Sequence, residues 1–247
     1  MSAMLIDVGN TRIKWSNQDL TNVSQRSHQS EDLLEVLAPT LAREEPPSAI
    51  YIGSVASEKL TNELVRWCRE QWQVEVYSVS ATDDLPGFVN GYRRPEQLGV
   101  DRVLVMLAAQ HQADGAYCVV DSGTATTIDV VNADGLHMGG YILPGLDMMR
   151  ESLFQNTSIP QDTFQEYRDI IGRDTASGVA LASRYAVVAL VERLIEGKHA
   201  LLPQDKVQLF LTGGNADVLA PLFSQKVARM DFMVLQGLAV LANRSSD

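Results

Sequence analysis

Leu5-Ile6-Asp7-Val8-Gly9-Asn10-Thr11 and Val119-Val120-Asp121-Ser122-Gly123-Thr124-Ala125 are the two stretches that decide how this chain is read. In each, an apolar run ends in Asp-x-Gly and a short polar segment. Beyond the first, Arg12-Ile13-Lys14-Trp15 alternates in character; beyond the second, Ile128 to Val131 is apolar. Both read as strand, tight turn, strand, with Gly permitting a backbone shape that other residues resist. Each stands near the start of a half-chain and is followed by more strands and then helices. The 247 residues therefore read as two related α/β lobes, residues 1–115 and 116–247. No long-period repeat or low-complexity segment interrupts them.

Working outward, residues 31–41 carry Leu33, Leu34, Leu37 and Leu41 at helical spacing, and Pro46-Pro47 follows. Ala49 to Gly53 and Val74 to Val79 read as strands flanking a helix from Glu58 to Gln71, which Ser57 is placed to cap. Residues 81–99 are rich in Asp, Gly, Pro and Arg and read as a long loop, a feature that is often functional. Helical spacing resumes at Val103 to Gln110, with Asp101 in the position of an N-cap. In the second half, Leu136 to Leu143 extends the hairpin, Thr175 to Glu196 is a long helix, and Val207 to Leu211 is a strand. Asp217 to Phe223 and Phe232 to Asn243 are helical in pattern.

Composition narrows the function. Hydrophobic residues make up 45%, enough for a core without disulfides. The two cysteines, Cys68 and Cys118, lie in apolar segments without zinc-ligand spacing and read as buried thiols in a reducing compartment. No run reaches the roughly 18 apolar residues of a membrane span, and no basic region precedes an apolar core at the N-terminus. A cytoplasmic location without a membrane partner is expected. The net charge of −11 argues against nucleic acid as a partner but not against nucleotides, which reach acidic sites through Mg²⁺.

A turn of Asp, Gly and small hydroxyl residues between two strands suits phosphate: backbone N–H groups point inward, Gly allows close approach and Thr adds a donor. A lone Asp-x-Gly is an ordinary hairpin turn. Two in register, the second with Thr124, Thr126 and Thr127, favour phosphate binding, because consecutive hydroxyls at a strand end are hard to explain by packing alone. Thr212-Gly213-Gly214-Asn215-Ala216 joins a strand to a helix; it leaves room for a flat ligand, or is a turn that Asn215 caps. Leu98-Gly99-Val100-Asp101-Arg102 offers Asp101 either as a helix cap or as a general base beside a cation. Gly139 to Gly145 either shapes an acceptor pocket or simply turns the chain. No G-x-x-x-x-G-K-[ST] loop is present, so an ATP site here is of another kind.

Taken in order, Asp7-Val8-Gly9-Asn10-Thr11-x-x-Lys14, Gly99-Val100-Asp101-Arg102, Asp121-Ser122-Gly123-Thr124-Ala125-Thr126-Thr127, Gly139-Gly140-x-Ile142-x-Pro144-Gly145 and Thr212-Gly213-Gly214-Asn215 resemble the motifs of type III pantothenate kinases. The resemblance runs from about residue 4 to the final helix. It implies an actin-like ATPase (ribonuclease H-like) fold, with two lobes around a nucleotide cleft. It also implies ATP-dependent phosphorylation of pantothenate to 4'-phosphopantothenate, the first step of coenzyme A biosynthesis. On that likeness, Asp7, Val8, Gly9, Asn10, Thr11, Arg12, Ile13 and Lys14 form the first phosphate element, and Thr124 belongs to the second. Asp121 matches a monovalent-cation position (K⁺ or NH₄⁺), and Asp101 the proton acceptor. Tyr92, Gly99, Val100, Asp101, Arg102 and Thr175 match pantothenate-binding positions. Tyr92, on a mobile loop, would close over the substrate. Mg²⁺ would accompany ATP, and a homodimer built mostly through the second lobe is implied.

The family usually has Asn-Thr where this chain has Asp174-Thr175, and Asp174 reads as a cap of the following helix. Two alternatives stay open at the level of sequence. One is a phosphatase or a kinase for another small molecule on the same fold; the other is a nucleotide-binding regulatory protein.

Overall fold

The computed structural model describes residues 2–27, 33–160, 169–196 and 206–244. Contacts divide the chain into two compact units. One runs to Gln112 and takes in the residues from Phe232 onward; the other is Ala113–Asp231.

The first unit contains β1 (Met4–Val8), β2 (Arg12–Asn17), β3 (Ser24–Ser27), α1 (Leu33–Leu41), β4 (Ala49–Ser54), α2 (Glu58–Trp72), β5 (Glu75–Ser78), α3 (Val100–Gln110) and the final helix α7 (Met233–Arg244). Its sheet has the order β3-β2-β1-β4-β5. The β1–β2 and β2–β3 pairs are antiparallel, whereas β4 joins β1, and β5 joins β4, in parallel. Strand alternation sends Met4, Ile6, Val8, Ile50 and Ile52 to one face, where they pack with buried residues of α1 and α2. Ser57 caps α2 as its spacing predicts, its hydroxyl accepting from Leu60 N–H at 3.4 Å. The first two residues of the helix expected over 31–41 lie outside the described residues.

The opposite face carries α3 and α7. Helix α3 is apolar around most of its circumference and is buried from Val103 to Ala109, as expected of a helix covered on several sides. It packs against α7, and both touch the sheet. Two glycines permit this. A Cβ on Gly53 would come within 2.5 Å of Leu104 Cδ1, and a Cβ on Gly237 would collide with the Leu104 carbonyl. This packing corrects the expected division. Residues from 232 onward, assigned by sequence to the second lobe, belong to the first, because the apolar face of α7 has its partners there.

The second unit contains β6 (Tyr117–Ser122), β7 (Ala125–Val131), β8 (His137–Pro144), α4 (Leu146–Asn156), α5 (Thr175–Ile195), β9 (Gln208–Thr212), α6 (Ala216–Leu219) and β10 (Val227–Arg229). Its sheet order is β10-β9-β6-β7-β8, with β6–β7 and β7–β8 antiparallel and β9 parallel to both β6 and β10. Read from the hairpin, this is the order of the first sheet again: an antiparallel meander of three strands, then two strands added in parallel. The likeness of the two Asp-x-Gly stretches thus extends to the whole of each sheet. Cys118, Val120, Ile128, Leu209 and Leu211 meet Val187, Val188 and Val191 of α5 in the core.

Both cysteines are buried free thiols, as expected. Burial pushes the Cys68 thiol up to about 12 and raises Cys118 as well. Among the described residues, no helix is long and apolar enough to cross a membrane.

Replacing Gly237 with Ala should lower stability by about 1–3 kcal/mol, the usual cost of forcing atoms into a packed site. Urea unfolding checks this. An unchanged midpoint would mean that α3 and α7 can part without cost.

Candidate active site

The first Asp-x-Gly turn joins β1 to β2. Asp7 and Lys14 are cross-strand partners, and Lys14 Nζ lies 3.2 Å from Asp7 Oδ2. Asp7 is only 4% exposed. Burial raises its carboxyl above the ordinary range; the Lys14 ammonium opposes that shift, and Asp101 adds to it. Asp101 therefore lies close enough to act on Asp7 electrostatically. Gly9 N–H donates to the Arg12 carbonyl at 3.0 Å and closes the turn. Asn10, Thr11 and Arg12 stand exposed at its tip. Val8 and Ile13 belong to the core, so they can offer a ligand only their backbone.

Asp101 does not cap α3. The cap position is Gly99, in extended backbone, and the helix starts at Val100. Asp101 sits in the first helical turn, where a carboxylate is favoured by the helix dipole. Its Oδ1 accepts from Arg102 N–H at 2.8 Å. A Cβ on Gly99 would come within 2.5 Å of that same oxygen, so the glycine makes room for the carboxylate. Val100 is buried. Arg102 is 5% exposed rather than an open cation. Its Nη1 donates to Tyr92 Oη at 2.7 Å, and its guanidinium lies 5.4 Å from the centre of the Tyr92 ring.

In the second unit, Asp121 is the penultimate residue of β6 and stands beside Gly213, which follows β9. Gly213 has φ +91°, and a Cβ there would come within 2.5 Å of both Asp121 Oδ1 and the Ser122 carbonyl. Asn215 N–H donates to the Ser122 carbonyl at 3.0 Å. The Asn215 side chain makes no cap bond to α6; its Nδ2 reaches Ser122 Oγ at 3.4 Å. The expected cap is thus a tie between the Gly-Gly segment and the strand end. Thr126 is wholly buried, its hydroxyl 3.0 Å from that of Ser122. Packing therefore accounts for one of the three threonines, while Thr124 is exposed at the turn. Gly145, at the end of β8, has a role that spacing did not reveal: its N–H donates to the Thr124 carbonyl at 3.0 Å and leaves no room for a side chain over the turn.

Thr175 opens α5. Asp174 Oδ1 accepts from Ser177 N–H at 2.7 Å, and Ser177 Oγ accepts from Asp174 N–H at 3.2 Å, a complete capping box. The Ser177 N–H holds the Asp174 carboxyl below its ordinary range. Asp174 is the cap that its position suggested.

The sequence profile of type III pantothenate kinases matches residues 3–197. This chain belongs to that family. The type III pantothenate kinase of Nitrosococcus oceani is 30% identical over 253 residues, covering 98% of this chain and 94% of the relative. Among solved structures, a conserved Baf family protein from Campylobacter jejuni superposes with TM-score 0.64 at 20% identity, covering 98% of each chain. MreB5 of Spiroplasma citri bound to ADP gives 0.54 at 10% identity, covering 99% of this chain and 98% of its own. These likenesses show the fold, that of the actin-like ATPases, as the sequence led one to expect.

Asp7 can be tested through the pH dependence of stability. Its raised carboxyl means that folding disfavours the charged form. Its contribution to stability therefore falls as pH rises from the ordinary carboxylate range, about 4, through the raised folded value, and then levels off. Asp7→Asn removes this dependence. The Tm of the variant minus that of the wild type should grow with pH across the window. A difference that shrinks with pH would mean that the Lys14 ion pair outweighs burial.

Proposed function

We propose that this chain transfers the γ-phosphoryl group of ATP to pantothenate, giving 4'-phosphopantothenate, the first step of coenzyme A biosynthesis. Family membership across most of the chain carries the reading. The preparation of each Asp-x-Gly turn for a charged ligand supports it.

The pantothenate hydroxyl oxygen attacks the γ-phosphorus, the bond to the ADP oxygen breaks, and Asp101 accepts the hydroxyl proton. Its carboxylate stands in the first turn of a buried helix, with a backbone N–H on Oδ1. Residues Asp7 to Lys14 serve the phosphates: the exposed tip offers N–H groups and the Thr11 hydroxyl, and Lys14 supplies positive charge. Thr124 does the same in the second turn. Tyr92, Gly99 to Arg102 and Thr175 serve the acceptor, with Val100 contributing backbone.

Among the described residues, no three acidic, His or Cys side chains cluster as a metal cage. Mg²⁺ binds through one or two carboxylates together with substrate phosphates, and Asp7, beside the first phosphate turn, is a carboxylate that would hold it. Bound there, Mg²⁺ would neutralise phosphate charge. Asp121, packed against Gly213, is the residue that would hold the monovalent cation, K⁺ or NH₄⁺, that family likeness implies. Family likeness points to a homodimer, and exposed Tyr141, Ile142, Met148 and Leu153 on β8 and α4 give the second unit an apolar surface for it. Buried reduced thiols suit the cytoplasm, and the acidic charge disfavours nucleic acid.

ADP release should require pantothenate and run faster in K⁺ than in Na⁺. Asp101→Ala should lower it by about 10²–10⁴-fold while the chain still folds. Robust turnover by that variant would remove Asp101 from its role. Release indifferent to pantothenate would reduce the reading to fold alone.

A further inference from the structure

We propose that Asn90 is a positioning residue for the acceptor substrate: its amide fixes the backbone of Tyr92 and so determines where the Tyr92 ring is presented beside Arg102. The inference rests on the reading of Tyr92 as part of the pantothenate site.

The segment from residue 79 to Gly99 contains little regular structure beyond one short turn of 3₁₀ helix at Pro95–Gln97. A loop of this length has many conformations to lose. Buried Ala81, Leu85, Phe88 and Leu98 tether it at intervals. Gln110, in the last turn of α3, ties it once more, its Nε2 donating to the Gly87 carbonyl at 2.7 Å. Tyr92 lies between the last two of these apolar tethers, in a stretch where Gly91, Arg93 and Arg94 are exposed.

Asn90 supplies what that stretch lacks. Its Nδ2 donates to the Ala81 carbonyl at 3.0 Å and to the Pro95 carbonyl at 3.1 Å, while its Oδ1 accepts from Tyr92 N–H at 3.0 Å. One side chain thus joins the outgoing limb of the loop, the residue that carries the ring, and the returning limb. The pattern fixes the orientation of the amide, because exchanging its oxygen and nitrogen would set an oxygen against two carbonyls and an NH₂ against an N–H. It also fixes the residue type. Asp keeps the acceptor but puts an oxygen in place of the double donor, and Ala keeps neither.

Tyr92 is therefore held at both ends, its backbone by Asn90 and its hydroxyl by the buried Arg102 guanidinium. On this reading the loop is braced before the substrate arrives. A ring placed before the substrate arrives spares the ordering cost at binding. The effect should fall on acceptor affinity more than on turnover, and should leave ATP affinity alone, because no bond of Asn90 involves a residue assigned to the nucleotide.

The test combines Asn90→Ala, Asn90→Asp, Tyr92→Ala and the double variant Asn90→Ala/Tyr92→Ala with steady-state kinetics and hydrogen exchange at the Tyr92 amide. Asn90→Ala should raise KM for pantothenate about 10-fold, the scale of losing hydrogen bonds of this kind, with kcat and KM for ATP near wild type. Asn90→Asp should be at least as impaired. In the Tyr92→Ala background, Asn90→Ala should add little, because it acts through a ring already removed. An unchanged KM in Asn90→Ala, or effects that multiply independently in the double variant, would overturn the proposal. If the wild type shows no pantothenate-dependent turnover, the substrate reading fails by itself and exchange decides the positioning claim. Faster exchange at Tyr92 in Asn90→Ala than in wild type upholds it, and equal rates overturn it.

Discussion

Asp101 and Asp121 each have a glycine at their back. A Cβ on Gly99 would come within 2.5 Å of Asp101 Oδ1, and a Cβ on Gly213 within 2.5 Å of Asp121 Oδ1. Each carboxylate occupies space that any other residue would fill, and each is placed by backbone rather than by a long side chain. Backbone placement costs little side-chain entropy and survives close packing. Gly145 extends the rule to the second turn, where its missing side chain lets the chain cross the Gly123 and Thr124 carbonyls. The chemistry assigned to this chain needs small, charged groups held still, and these glycines meet that need.

The same sheet topology is used twice, yet the two turns differ electrostatically. Asp7 is buried and faces Lys14 across the hairpin, and burial raises its carboxyl despite that ammonium. Asp121 is half-buried and packed against Gly213. A lysine-backed turn with an exposed tip suits phosphate oxygens. The residue opposite the aspartate differs: Lys14 on β2, but Thr127 on β7.

Much of this was legible in the sequence, for identifiable reasons. The two hairpins announce themselves because Asp-x-Gly interrupts apolar strands, and the Asp174 cap because it stands directly before a long periodic helix. The misread positions share a cause: sequence spacing does not show which neighbour a side chain chooses. Asp101 looked like a cap, but the helix starts earlier, at Val100. Asn215 looked like a cap, but its amide reaches back to Ser122, far away in sequence. Thr126 looked like a ligand group and is a core hydroxyl bonded to Ser122. Helix α7 was assigned to the wrong lobe because its partners, α3 and β1, lie more than 120 residues back in the chain. Nothing in the spacing of Asn90 marks it, since its three bonds depend on how the loop folds back on itself.

The destination of the phosphoryl group tests the central claim most directly. ³¹P NMR of the wild-type chain with Mg²⁺, K⁺, ATP and pantothenate follows it without presupposing a product. The account predicts ADP and a new phosphomonoester growing in equal amounts, the ester coupled to the methylene protons of the acceptor's primary alcohol. ADP accompanied only by inorganic phosphate would contradict it, and would make the chain a phosphatase on an actin-like fold.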